Sequence, residues 1–322
     1  MKDVPIPTPS GLSASDPLLK KWLVAARAPF FSACVMPVAV TLAACWRADG
    51  SLRLWQAVLT LLGIVLIHAG ANMANDYFDH RSGADPGNRQ STPFSGGSRV
   101  IQDGVLAPRA VLAGAAACSV AGIGCGLVLW LASRGHLLLA IGVVGMALAW
   151  EYTGPPLRLA HRGIGEVAVG VSFGILPALG TEWVQRGALT LGVSWVGVPA
   201  GLLVAAILVI NEFPDAAADA AAGKRTLVVR LGMRGAVAAY ELLVLGAYAA
   251  VGVGIAAGWL PPLAAVVLAV APLSWRAVRV LRAHCTDVRA MLPAMTATIA
   301  QQALFLLLLT GALLADSALH AP

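Results

Sequence analysis

Two short stretches concentrate carboxylates and carboxamides in a chain otherwise poor in charge. The first reads Asn72-Met-Ala-Asn75-Asp76-Tyr-Phe-Asp79-His-Arg-Ser-Gly-Ala-Asp85, the second Asn211-Glu212-Phe-Pro-Asp215-Ala-Ala-Ala-Asp219. At about 100° per helical residue, Asn211, Asp215 and Asp219 fall within an arc of roughly 80°. Asn72, Asn75 or Asp76, and Asp79 make a similar stripe that continues from His68. Carboxylates stacked in this way repel one another unless cations compensate them. An oxygen-only donor set suits a hard ion such as Mg²⁺, which takes a few carboxylates together with phosphate oxygens and water. Basic residues follow each cluster: Arg89 and Arg99 after the first, Lys224 and Arg225 after the second. Carboxylates with Mg²⁺ beside Lys and Arg are the parts that hold a diphosphate and stabilise its charge as a leaving group. One Asp alone would read as a helix cap, and the basic residues alone as anchors at a membrane face; the paired Asn-x₃-Asp motifs carry the chemical reading. His68 by itself reads as a packed or hydrogen-bonded helix residue.

The elements that must position these groups are membrane helices. Of 322 residues, 58% are hydrophobic and 12% charged, too few charges to cover a soluble globule. Gly (34) is abundant and aromatics are 6%, a small-residue composition that suits closely packed helices in lipid. Such hydropathy excludes a disordered chain, and Gly and Pro show no period. Cys34, Cys45, Cys118, Cys125 and Cys285 form no CxxC pair, so neither a disulfide framework nor a zinc site is indicated. Apolar runs of about 20 residues predict nine spans: 25–46, 54–78, 110–133, 136–153, 164–185, 190–212, 235–259, 261–280 and 292–315. The fourth is short, and only Trp259, Leu260 and Pro261–Pro262 separate the seventh from the eighth. Residues 1–15 read as a disordered tail, and 16–322 as a single domain. Ser15 or Asp16 before Pro17 signals a helix start, and Leu18, Leu19, Trp22 and Leu23 beside Lys20 and Lys21 suggest a short interfacial helix.

Nine spans require Lys- and Arg-rich loops to alternate with poor ones. With the N-terminus on the cytoplasmic side, only Arg47, Arg53, Arg134 and Arg186 of the 22 basic residues fall on the opposite side. The expected architecture is an all-α polytopic membrane protein, N-terminus cytoplasmic and C-terminus opposite, with both acidic clusters at the cytoplasmic face. The net charge of +6 therefore marks sidedness, and nucleic acid is not an expected partner.

The two clusters, followed by Gly223-Lys-Arg-Thr-Leu-Val-Val-Arg-Leu-Gly232, resemble the UbiA superfamily of intramembrane prenyltransferases. Asn75-x₃-Asp79-x₅-Asp85 is similar to the 1,4-dihydroxy-2-naphthoate branch of menaquinone biosynthesis. So are Tyr152-Thr-Gly-Pro-Pro, Arg162-Gly-Ile-Gly-Glu166, Phe173-Gly174 and Ala25-Ala-Arg27-Ala-Pro29. The resemblance covers most of residues 20–235; the last three spans match in number only.

That resemblance implies nine helices around a central cavity that opens sideways to lipid. It implies Mg²⁺ held by Asp79, Asp85, Asp215 and Asp219 with Asn75 and Asn211, bridging the diphosphate of a polyprenyl donor. Arg27, Arg89, Lys224 and Arg225 would neutralise the remaining charge. Asp79, Asp215 and Tyr152 would act on the reacting centre, and Glu166 would bind or deprotonate a small aromatic acceptor; Glu166 capping its own helix or pairing with Arg162 is the alternative. Asp76 shares the helical phase of Asp79, so either fits the ligand set. Glu212 and Pro214 depart from the family pattern, leaving Glu212 as either a further ligand or a tolerated change. Thr92-Pro-Phe-Ser-Gly-Gly-Ser-Arg99 reads as a lid or a plain connector. The implied activity is Mg²⁺-dependent transfer of a polyprenyl group to 1,4-dihydroxy-2-naphthoate in a bacterial inner membrane, with the site facing the cytoplasm. Other acceptors such as 4-hydroxybenzoate, or intramolecular terpene cyclisation, share the same donor half. A secondary transporter is the reading from another class, although its carboxylates belong at the bilayer midplane; the DxxDGxxAR signature of phosphatidyl-alcohol transferases is absent.

Overall fold

Apolar runs become helices throughout the described residues, which are 10–13, 15–133 and 135–320 of the computed structural model. In lipid a helix satisfies every backbone group internally, so long apolar segments have no competing fold. In order the helices are α1 (Leu18–Ala25), α2 (Ser32–Asp49), α3 (Leu54–Ser82), α4 (Pro108–Ala132), α5 (Leu137–Glu151), α6 (Gly165–Arg186), α7 (Gly197–Ala221), α8 (Leu227–Ala256), α9 (Ala271–His284) and α10 (Val288–Leu319). A 3-10 turn, Ala28–Phe31, leads into α2, and Pro262–Val270 leads into α9. No strand occurs among the described residues. The tail expected over residues 1–15 lies mostly outside them; of the part described, Ser10 hydrogen-bonds to Asp103, and the Ser13 amide donates to Asp16 Oδ2 at 2.7 Å.

Among the described residues eight helices are long and apolar enough to cross a membrane, when α2 is counted with its lead-in from Ala28, α7 from Leu191 and α9 from Pro262. The remaining apolar helix, α5, has 15 residues. Each of the nine expected segments coincides with one of these helices, and the largest differences are at two polar ends. Helix α7 continues to Ala221 instead of stopping at 212, because Asp215 and Asp219 have partners that let the helix carry them past the apolar run. Helix α8 begins at Leu227 rather than 235 and passes through Gly232, where the backbone leaves helical geometry at φ 69° and ψ 168°.

Helix α3 packs most extensively on α4, α7 on α8, and α10 on α2 and α9. Three apolar clusters hold these layers: Met73, Val111 and Ala115 between α3 and α4; Ile210, Tyr240, Leu281 and Met295 in the C-terminal half near the acidic clusters; and Val40, Leu203, Leu260, Phe305 and Leu309 at the other end. The α6–α7 crossing is closest at Gly170, Gly174, Gly197 and Gly201, a small-x₃-small pattern on each helix. A methyl group at Gly197 would lie 2.7 Å from the Gly174 carbonyl oxygen, and one at Gly201 would drive into the carbonyl oxygen of Gly170. Gly201→Val is therefore expected to cost about 3 kcal/mol, as overpacking between helices does. Thermal unfolding in detergent measures this; a wild-type midpoint would show that the helices separate without penalty.

Candidate active site

The two acidic clusters, far apart in sequence, meet at one end of a cavity of about 660 Å³. Helix α3 brings Asn75 and Asp79, a single turn at Ala84–Gly87 brings Asp85, and α7 brings Asn211, Glu212, Asp215 and Asp219; all line it. Arg27, Lys224 and Tyr152 line the same mouth. Below it the wall is apolar and reaches Leu59 on α3, with Leu139 and Met146 from α5 and Leu176 and Val184 from α6.

Helix phase left Asp76 and Asp79 equivalent, and the fold separates them. Asp79 is 4% exposed, with Oδ2 accepting from Asn75 Nδ2 at 3.1 Å and from Lys224 Nζ at 3.0 Å. Its Oδ1 is buried with no partner. Asp76 turns away from the cavity wall to accept from the Arg27 guanidinium and from the Ser98 amide and hydroxyl. Arg27 also donates to Asn75 Oδ1 at 3.0 Å. Its backbone is left-handed at φ 53°, an uncommon state for a side chain with a Cβ, held here by these bonds at the break between α1 and the 3-10 turn.

The segment expected as a lid or connector lies across the mouth and ties the two clusters together. Asn88 Nδ2 donates to Asp215 Oδ1 at 2.7 Å, and the Gly96 amide donates to Asp215 Oδ2 at 3.0 Å. Gly97, at φ 77°, sits where a methyl group would lie 2.6 Å from Asp85 Oδ2, so only glycine brings the backbone this close to the carboxylates. Asn88 was not anticipated from sequence. Its signal was there, a carboxamide three residues after Asp85, but only tertiary contact links it to Asp215.

Lys224 is the central counter-charge, 9% exposed, with Nζ 3.0 Å from Asp79 and 3.6 Å from Asp219. Burial works against its ammonium form, yet Asp79 and Asp219 outweigh that and hold its pKa well above the ordinary lysine value. Burial, then the nearby Asp79 and Asp76 charges, push the Asp85 carboxyl well above the usual carboxylate range.

Other sequence candidates lie elsewhere. Arg89 and Arg225 are exposed and do not line the cavity. Glu166 is buried behind the wall, where Oε1 accepts from the Leu227 amide at 2.8 Å, while Glu212 Oε2 accepts from the Val228 amide at 3.4 Å. The two glutamates thus satisfy the free amides at the start of α8. Glu212 keeps a place on the cavity wall and Glu166 does not.

The donor set suits Mg²⁺. It is all oxygen, strongly acidic, and includes two buried oxygens without partners, Asp79 Oδ1 and Asn211 Oδ1. Among the described residues no group of three or more His, Cys, Asp or Glu side chains is gathered closely enough to hold a metal ion by itself, so phosphate oxygens and water would have to complete the shell of a bound Mg²⁺. Arg27 and Lys224 add positive charge on either side of the same mouth, so the arrangement can receive a diphosphate above an apolar cavity.

Residues 34–296 match the sequence pattern of the UbiA prenyltransferase family. The chain is 35% identical over 268 residues to 1,4-dihydroxy-2-naphthoate octaprenyltransferase of Mycobacterium leprae, a match spanning 81% of this chain and 85% of that protein. It is 37% identical over 217 residues to the protein of the same name from Mycobacterium tuberculosis, spanning 66% and 70%. Among solved structures, a UbiA homolog from Archaeoglobus fulgidus bound to DMAPP and Mg²⁺ superposes with a TM-score of 0.65 at 14% identity, covering 92% of this chain and 99% of that one. A UbiA homolog from Aeropyrum pernix gives 0.64 at 18% identity, covering 88% and 97%. At these identities the structural likeness shows a shared fold.

Proposed function

Since the chain belongs to the UbiA prenyltransferase family, we propose that it transfers a polyprenyl group from a polyprenyl diphosphate to 1,4-dihydroxy-2-naphthoate with Mg²⁺ as cofactor. The observation that carries this reading is a single cavity with both acidic clusters, Arg27 and Lys224 at its mouth and an apolar interior below. The names of two relatives, matched over most of both chains, support this choice of acceptor.

In this reading Asp79, Asp85, Asp215 and Asp219, with Asn75 and Asn211, would hold Mg²⁺; Asp76 instead holds Arg27, and Glu212 the start of α8. The ion, when bound, neutralises diphosphate charge and so makes it a better leaving group. Arg27 and Lys224 bind the remaining phosphate oxygens. Arg27 is pre-aimed by Asp76, and Lys224 follows the pair of carboxylates that would also face the ion. The segment from Asn88 to Ser98 covers the mouth and keeps water from the carbon that loses the diphosphate. Tyr152, at the mouth beside Lys224, presents an electron-rich ring to that carbon as positive charge develops. The apolar walls of α3, α4 and α5 receive the chain, and Ile123, Leu127 and Val143 line the cavity while also facing outward, which gives lipid-borne substrate a sideways entry.

We place both clusters at the cytoplasmic face of a bacterial inner membrane, with nine crossings, N-terminus inside. Two observations support this placement. Basic residues concentrate at the end of the bundle that holds the clusters. Helix α5, though short, runs from beside Trp183 near the remote end of α6 to Tyr152 at the mouth.

The test is incubation of purified protein with Mg²⁺, a polyprenyl diphosphate and a panel of aromatic acids, with products read by mass spectrometry. A prenylated 1,4-naphthalenediol is expected, formed with release of diphosphate and carbon dioxide. No diphosphate release from any donor would overturn the reading; transfer to 4-hydroxybenzoate alone would change only the acceptor. Chelation by EDTA is expected to bring turnover to background and added Mg²⁺ to restore it, while undiminished turnover in EDTA would remove the metal from the proposal.

A further inference from the structure

One titratable ring lies in the cavity well below the charged mouth. His68 sits on α3 two turns before Asn75, about 10 Å deeper on the helical rise, and among the described residues it is the one imidazole in the wall. It is 7% exposed, and its Nδ1 has no hydrogen-bond partner. The surroundings fix the ring without satisfying it. Phe173 meets it edge-on at 4.7 Å and 79°, and Phe31 flanks it at 5.6 Å. Phe173 lies in a π-helical turn, Val171–Ile175, where one extra residue per turn re-aims Ser172 and Phe173, and both line the cavity. The nearest polar residue on the same stripe, Asn72, is already engaged, donating from Nδ2 to the Ala26 carbonyl at 3.0 Å.

A buried polar ring held by aromatics and lacking a protein partner calls for one from a ligand. Of the two substrates in the reading above, on which this inference rests, the polyprenyl chain has no hydrogen-bonding atom. The aromatic acid has several. We propose that His68 binds the acceptor, its imidazole hydrogen-bonding a hydroxyl or carboxylate oxygen of the substituted ring, with the acceptor ring against Phe173. A neutral imidazole both donates and accepts, so it can take either group. The separation along α3 leaves room for the substituted ring of the acceptor between His68 and the carbon bearing the diphosphate, with the unsubstituted ring against the apolar wall.

His68→Phe keeps the ring and removes its nitrogens; His68→Gln keeps a donor and an acceptor. In His68→Phe the KM for 1,4-dihydroxy-2-naphthoate is expected to rise about tenfold, the loss of one good hydrogen bond, with the KM for the polyprenyl diphosphate within about twofold of wild type. His68→Gln is expected to recover most of the acceptor affinity. Binding of 1,4-dihydroxy-2-naphthoate without Mg²⁺, followed by its fluorescence, is expected to show the same ranking with no turnover involved. With 1-hydroxy-2-naphthoate, a penalty that vanishes assigns His68 to the 4-hydroxyl, and one that persists assigns it to the carboxylate side. Unchanged acceptor KM in His68→Phe, or an equal rise in both KM values, overturns this inference alone. A wild-type protein that releases no diphosphate from any donor overturns the prenyl-transfer reading and this inference with it.

Discussion

Asp79→Ala is expected to lower kcat about a thousandfold with the protein still folded, and Asp215→Ala to do nearly the same. A group that stabilises charge developing in a water-poor site is worth about a hundred- to a thousandfold in rate, and a ligand to the ion that carries most of that stabilisation lies at the top of the range. Asp79 is the stronger case, because Asn75 and Lys224 hold one of its oxygens and leave the other bare in the cavity wall. Asp215 has both oxygens engaged, by Asn88 and by the Gly96 amide, so its loss also loosens the segment across the mouth. Asp76→Asn provides the contrast. It weakens the hold on Arg27 and Ser98 without removing an oxygen from the cavity, so its effect is expected in donor KM more than in kcat. Initial rates with Mg²⁺ in excess, beside circular dichroism and size-exclusion profiles, separate these outcomes. Wild-type turnover in Asp79→Ala would remove that residue from the metal site and return the choice to Asp76.

The second large effect is expected at Lys224. Lys224→Met leaves Asp79 and Asp219 facing each other at the mouth without the ammonium that now lies 3.0 and 3.6 Å from them. Removing one partner from a buried ion pair costs about 3 kcal/mol or more, because the other charge stays buried and uncompensated. The midpoint of thermal unfolding is therefore expected to fall, and added Mg²⁺ to recover part of the loss, since a cation between the same carboxylates replaces the missing charge. Donor KM is expected to rise as well and not to recover with Mg²⁺, because Lys224 also meets phosphate oxygens in the proposed mechanism. A variant as stable as wild type without Mg²⁺ would show that the carboxylates are protonated or solvated and that Lys224 is not their counter-ion.

Much of this site could be read along the chain because its signals are local. Asn211, Asp215 and Asp219 share a helix face by spacing alone, and the structure keeps all three on the cavity wall. Apolar run length located α2 to α10, with the largest errors at α7 and α8, where polar residues continue a helix past the point at which hydropathy stops marking it. The basic residues show the limit of proximity in sequence. Lys224 and Arg225 are neighbours, and only Lys224 turns inward to the carboxylates, while its neighbour points to solvent. Glu166 shows the same limit. Its place at the start of α6 suggested contact with an acceptor, but the amides at the start of α8, which no sequence pattern places beside it, claim its carboxylate.

Hydropathy, charge and helical spacing act within one segment, so the chain alone was enough to read a helical membrane protein and two acidic motifs each followed by basic residues, the pattern on which the proposed diphosphate chemistry rests. The tertiary structure alone decided that Asp79 rather than Asp76 faces the cavity, that Asn88 and Gly96 hold Asp215, that Glu166 serves helix α8, and that His68 stands unpartnered in an aromatic wall. Each of these depends on which group from a distant segment arrives first to satisfy a buried polar atom. That competition is settled by packing between helices, and the spacing of residues along any one of them carries no trace of it.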